Sequence, residues 1–226
     1  MSEKTRGRAL ALLLLLAAIA PLAALDKPAA FRPDLGVVYV PNLDPDKETA
    51  SLVTYVLGCG VVYPLNVGLL ARGKASWSFE PSVDFYTAYY ELDASGRAVP
   101  TELADRQAFV LGLLVDAPIV LSVPLDEKFT FGAGAGLAFD LRAAFQDSDP
   151  SIAEGTGGEI NAYFWGKGRF VLPSTFIRIE YRLTERVDFG FSVRAYWPLF
   201  NFWAGEGLPI LDQGIFGGSL GVRYKL

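Results

Sequence analysis

Between Phe129 and Phe145 the chain reads F-T-F-G-A-G-A-G-L-A-F-D-L-R-A-A-F, and its apolar side chains stand at every second position. A period of two places them on one face of an extended strand and leaves Thr130, Gly132, Gly134, Gly136, Asp140 and Arg142 on the other. Ser51–Pro64 does the same with Val53, Tyr55, Leu57, Cys59, Val61 and Tyr63, and Ala75–Glu91 with Trp77, Phe79, Pro81, Val83, Phe85, Thr87 and Tyr89. Gln107–Val123 repeats it with Phe109, Leu111, Leu113, Val115, Ala117, Ile119 and Leu121. The chain is 51% hydrophobic, yet beyond its N-terminus no eighteen consecutive residues are apolar. A membrane-spanning helix is therefore excluded there. Only a sheet with one apolar face reconciles so much dispersed hydrophobicity with so few apolar runs.

The last thirteen residues, G-I-F-G-G-S-L-G-V-R-Y-K-L, alternate as well, and Leu220, Val222, Tyr224 and Leu226 share the apolar face. In a water-soluble protein such an ending is an exposed liability; in a membrane barrel it is a closing strand whose outward face meets lipid. It resembles the C-terminal assembly signal of bacterial outer-membrane β-barrels, whose members more often end in Phe. That resemblance implies insertion machinery of the outer membrane as a partner.

The N-terminus reads as a secretory signal over residues 1–24. Lys4, Arg6 and Arg8 precede the apolar stretch Ala9–Ala20, and Pro21-Leu22-Ala23-Ala24 ends in small residues. Its removal takes away three bases and the acid Glu3, so the formal charge of −5 becomes about −7 for residues 25–226. A chain this acidic is not built for nucleic acid. The lone Cys59 has no intramolecular partner in an oxidising compartment and is expected to be buried or lipid-facing.

Eight strands follow: Leu35–Asn42, Ser51–Pro64, Ala75–Glu91, Gln107–Val123, Phe129–Phe145, Lys167–Leu183, Val187–Phe200 and Gly214–Leu226. The connections at 65–74, 124–128 and 184–186 are short, and those at 43–50, 92–106, 146–166 and 201–213 are long. The predicted fold is all-β: an eight-stranded antiparallel up-and-down transmembrane barrel with short periplasmic turns and longer external loops. Aromatics near the strand ends form two girdles, Tyr63, Trp77, Phe129, Tyr181 and Tyr224 low, and Tyr39, Tyr89, Phe109, Phe145 and Trp197 high. The opposite face gathers Glu80, Asp84, Asp116, Asp140, Glu180 and Asp188 with Arg142, Arg178, Arg182, Arg194, Arg223 and Lys225. Eight strands leave an interior only wide enough for side chains, so these charges are expected to fill it as a paired network.

Histidine is absent, which argues against the catalytic bases that barrel enzymes generally use. No catalytic, cofactor or metal site is predicted. The acid pairs Asp44/Asp46 and Asp147/Asp149 lack the remaining ligands of a calcium loop. Pro81 and Pro118 lie on adjacent strands and come nearly opposite each other. They read either as a lateral opening between lumen and lipid or as two tolerated bulges. The last long loop is apolar, with Phe202, Trp203, Leu208, Ile210 and Leu211 as candidate contacts for a ligand, partner or membrane, or as packing over the mouth. Tyr163, Phe164 and Trp165 could join them.

As a whole, residues 35–226 resemble the small OmpA/OmpX/OmpW-like outer-membrane proteins. The resemblance implies surface location in outer-membrane lipid and one of two roles. These are passage of small apolar solutes, as for OmpW-like members, or surface contact with host components and envelope integrity, as for OmpX-like members. A soluble lipocalin-like periplasmic carrier is the alternative outside the membrane.

Overall fold

The computed structural model describes residues 27–43, 51–65 and 75–226. The signal segment, the Asp44/Asp46 pair and most of the 43–50 and 65–74 connections lie outside them. Ala30–Val40 (β1) pairs antiparallel with Leu52–Leu65 (β2) on one side and Ile215–Lys225 (β11) on the other, so the first and last strands close a ring. The third stave is Ser76–Phe79 (β3) continued by Ser82–Leu92 (β4), and the fourth is Ala108–Asp116 (β6) continued by Ile119–Pro124 (β7). Phe129–Gln146 (β8), Val171–Arg182 (β9) and Val187–Tyr196 (β10) complete an all-antiparallel ring of eight staves. Closure removes the unpaired edges that an open sheet would present. A short strand, Ala98–Pro100 (β5), pairs only with the top of β4, folding the 93–107 loop back on the wall.

Side chains alternate through the wall as the sequence pattern requires. Leu35, Tyr55, Leu57, Phe85, Ile177, Phe191 and Leu220 are exposed on the outer face, while Arg32, Asp34, Glu80, Asp84, Asp140, Arg178 and Arg194 are buried inside. Apolar residues outside and charges inside are the inverse of a water-soluble protein. Phe129 stacks at 5.1 Å from Tyr181 near the short-turn end, and Trp197 meets Phe216 edge-on at 6.0 Å near the long-loop end. Cys59 lies on the exposed outer face.

Several strand limits differ from expectation. β1 starts at Ala30, five residues before the expected Leu35, because Phe31 and Pro33 continue the outward positions and Arg32 and Asp34 the inward ones. β10 ends at Tyr196, four residues early, since Pro198 cannot donate to a ladder. The largest change lies in the connection 146–166, expected as a loop. It carries the α-helix Thr156–Trp165 (α1), whose Ile160, Tyr163 and Phe164 are buried at i, i+3 and i+4. Gly157 and Gly158 in its first turn mask the helix from propensity, and tertiary contacts stabilise it instead. The Asn161 amide does much of this, accepting from the Ala144 N–H and donating to the Ala144 carbonyl (both 2.9 Å), which pins α1 to the top of β8.

Candidate functional site: a two-tiered lumen and its cap

Ionic pairs fill the lumen at mid-height and below. Glu80 sits between two guanidiniums, accepting from Arg32 at 3.1 Å and from both terminal nitrogens of Arg178. Arg178 reaches Glu180 at 3.3 Å, and Glu180 accepts from Arg223 at 3.1 Å. Lys225 donates to Asp188 at 2.9 Å. On a higher level Arg194 bridges Asp84 at 2.7 Å and Asp34 at 3.2 Å, and Asp140 holds Arg142 at 3.1 Å. Asp116 accepts from the Ser174 hydroxyl at 2.6 Å and from the N–H of Ala117. Buried charges endure only when paired and hydrogen-bonded, so this lattice is the condition for a closed ionic interior.

Of the twelve charges expected in the lumen, eleven are brought there. Arg182 is the correction: at the end of β9 it is exposed at the short-turn rim, where the barrel stops. The sequence pattern also left out Arg32 and Asp34, both buried and both central to the lattice. The signal was present, because Phe31 and Pro33 extend the outward alternation of β1.

A second tier was not anticipated. Toward the long loops the inward positions turn apolar: Val38, Val40, Val56, Tyr86, Tyr90, Val110 and Leu114 form one buried cluster with Ile160 and Phe164 of α1 and with Phe200. The lumen is thus ionic below and mainly hydrocarbon above, with the Asp140–Arg142 pair and, at the rim, the buried Arg97–Asp212 pair set into the upper tier. α1 lies across this tier as a cap, and cations hold it from both sides. Arg142 stacks on Phe164 at 4.1 Å, and Arg169 on Tyr163 at 3.8 Å while also pairing with Glu206. The Tyr163 hydroxyl donates to Glu206 at 3.2 Å and accepts from Gln213 at 3.0 Å, and burial pushes this phenol up, keeping it a neutral donor.

The candidate apolar loop divides between the two readings. Phe200 and Ala204 turn inward under the cap, whereas Phe202, Trp203, Ile210 and Leu211 remain exposed and Leu208 half-buried. The Trp203 indole donates to the Lys167 carbonyl at 2.8 Å, tying this loop to the end of α1. Tyr163 and Phe164 belong to the cap and Trp165 to the exposed surface.

Pro81 and Pro118 do stand side by side, but no opening forms there. The Pro118 carbonyl accepts from Glu80 N–H at 3.0 Å and the Pro81 carbonyl from Val61 N–H at 2.9 Å. Registers run through this level with no inserted residue, from Phe79↔Ile119 to Ser82↔Asp116 and from Tyr63↔Phe79 to Gly60↔Ser82. Each proline costs the wall its own missing N–H and interrupts a strand without opening or bulging it. Leu220, Val222, Tyr224 and Leu226 all point outward from the closing strand.

No protein-family model matches this chain, and no curated protein matches it. Solved structures do. Neisserial surface protein A is similar at 11% identity and a TM-score of 0.50, over 87% of this chain and 96% of that one. OprG from Pseudomonas aeruginosa is similar at 13% identity and a TM-score of 0.44, over 88% and 98%. The outer-membrane enzyme PagL is similar at 12% identity and a TM-score of 0.43, over 88% and 100%. The first of these, at a TM-score of 0.50, agrees with the closed antiparallel ring of eight staves, and the fold is that of the small outer-membrane β-barrels. With a lipid-facing apolar belt and a polar interior it is a protein of the bacterial outer membrane.

Proposed function

We propose that this barrel works at the cell surface through its external loops, as a sealed structural or contact protein. The sealed lumen supports this reading. Among the described residues it is packed with ion pairs below and mainly hydrocarbon above, α1 lies across its mouth, and cavities among its ion pairs measure about 20 and 10 Å³. A space of that size holds about one water. The elements left free to meet other molecules are the loops, with Phe202, Trp203, Ile210 and Leu211 as apolar contacts for host components or membrane. The absence of histidine supports a non-enzymatic role.

The exposed loop aromatics also favour a second reading, capture and passage of small apolar solutes. Flux through vesicles carrying the purified protein separates the two. The sealed reading expects polar and apolar solutes to cross at the rate of protein-free vesicles. Faster apolar flux would replace it with the transport reading.

A further inference from the structure

The long-loop rim of the barrel differs between its two sides. From β9 round through β10 and β11 to β1 it exposes Trp165, Phe202, Trp203, Ile210, Leu211 and Leu43. Phe202 and Trp203 are 71% and 61% exposed, more than Ile177 (53%) and Phe191 (46%) on the lipid-facing wall. Backbone clamps hold these side chains in place. The Asn201 amide donates to the carbonyls of Ile210 and Asp212 at 3.2 and 2.8 Å, and the Leu43 N–H donates to the Asp212 carboxylate at 2.7 Å. Trp203 is bonded to the Lys167 carbonyl, and the Trp165 ring lies 5.4 Å from that of Phe170. Charge within this arc is covered: Glu206 pairs with Arg169 and Lys167, and Asp212 is buried against Arg97. Above β4, β6 and β8 the rim is the opposite. There the exposed acids Asp105, Asp149, Glu154 and Glu159 line a cleft of about 520 Å³. Among the described residues 93–107 and 146–159, Leu103 is the only large apolar side chain exposed.

The apolar arc stands directly on the lipid-facing wall. Beneath it Tyr39 pairs with Phe216, the Phe216 ring meets Trp197 edge-on, and the Trp197 indole donates to the Thr175 hydroxyl at 2.9 Å. The segments joining this girdle to the arc, 40–42, 198–201 and 213–215, carry no charge. We propose that the arc is seated in the outer leaflet of the cell's own membrane, so that the barrel leans toward its β9–β1 side. This rests on the reading that the external loops make the protein's contacts, and it names lipid as the partner of their apolar part. Indole rings with a satisfied N–H suit the level between headgroup and acyl chain, and the half-exposed Lys167 ammonium can reach lipid phosphate there. Shape decides against a second copy. The arc follows four of the eight staves, half the circumference of a convex wall, which another convex barrel cannot cover but fluid lipid can. The acidic side stays in water because burying its exposed charges is costly.

Nitroxide labels test this on the full barrel in vesicles of phosphatidylcholine and phosphatidylglycerol. In a Cys59→Ser background, labels on Phe202→Cys and Leu211→Cys are expected to collide more with oxygen, which dissolves in lipid, than with a water-soluble nickel chelate. A label on Val193→Cys in the wall sets the lipid standard, and one on Asp105→Cys is expected to show the reverse preference. All four side chains are exposed, so the substitutions leave the lumen lattice intact. Nickel collisions prevailing at 202 and 211, as at 105, overturn the proposal. Spin–spin broadening between labels at 202 also overturns it, by putting a second copy there. The emission that Trp203→Phe removes is expected to be quenched by brominated lipid in the wild type, and emission untouched by bromine overturns the proposal. Vesicle flux enters none of these readouts, so the seated arc and the sealed-barrel reading fail separately.

Discussion

Glu80 shows how much one residue carries in a lumen built of charge. It is 1% exposed and is shared by Arg32 and Arg178, so its removal leaves two guanidiniums facing each other in a buried space. Glu80→Ala is expected to lower stability by about 3–5 kcal/mol, read from the urea midpoint of the detergent-solubilised barrel. Small residues matter equally. The Tyr86 ring lies against Gly112, where a Cβ would overlap it, and its hydroxyl donates to Asp140 at 2.9 Å. Gly112→Val is expected to evict that ring and cost about 1–3 kcal/mol in the same assay. On the short turn, backbone N–H groups of Phe129 and then Lys128 hold the Asp126 carboxyl below its ordinary range. A depressed value stabilises the fold above the unfolded pKa and ceases to do so as pH falls through the folded one. The deficit of Asp126→Ala is therefore expected at neutral pH, to begin shrinking as pH falls below about 4 and to vanish once the folded carboxyl is protonated as well, measured by urea midpoints along a pH series.

At the scale of elements, the cap is what alternation in the sequence did not disclose. α1 is short, begins with two glycines after Thr156 and has no side-chain N-cap, so in isolation it has little reason to form. It forms because Ile160, Tyr163 and Phe164 have a hydrocarbon tier to cover and Asn161 has the top of β8 to bond. Phe164→Ala removes the ring under Arg142 and is expected to cost about 3–5 kcal/mol of cap stability. Hydrogen exchange over residues 156–165 reads that loss directly, with the strands unchanged. The prolines teach the opposite lesson. Their presence mid-strand was legible, but whether they separate neighbouring strands depends on the carbonyls and N–H groups opposite them, and these pair across the level in register.

For the molecule as a whole, orientation follows from where the long connections lie. The start of β1 and the end of β11 share one end, with Ala30 opposite Lys225, and the short turns Leu125–Lys128 and Leu183–Arg186 lie at that end. In a Cys59→Ser background, Ala94→Cys in a long loop is expected to react with a membrane-impermeant maleimide on intact cells. Glu127→Cys in a short turn is expected to react only after the outer membrane is opened. The reverse pattern would invert the barrel and remove the loops from the surface.

The sequence by itself determined the wall: eight staves, their faces and most of the lumen charges. These follow from a period of two, which is local and needs no knowledge of partners. Even the early start of β1 was written in Phe31, Arg32, Pro33 and Asp34. Only the tertiary structure decided what closes the interior. Which guanidinium meets which carboxylate, that the upper tier is hydrocarbon and that a glycine-led helix covers it all depend on residues far apart in the chain. Ring closure brings these together, and no local periodicity records that meeting.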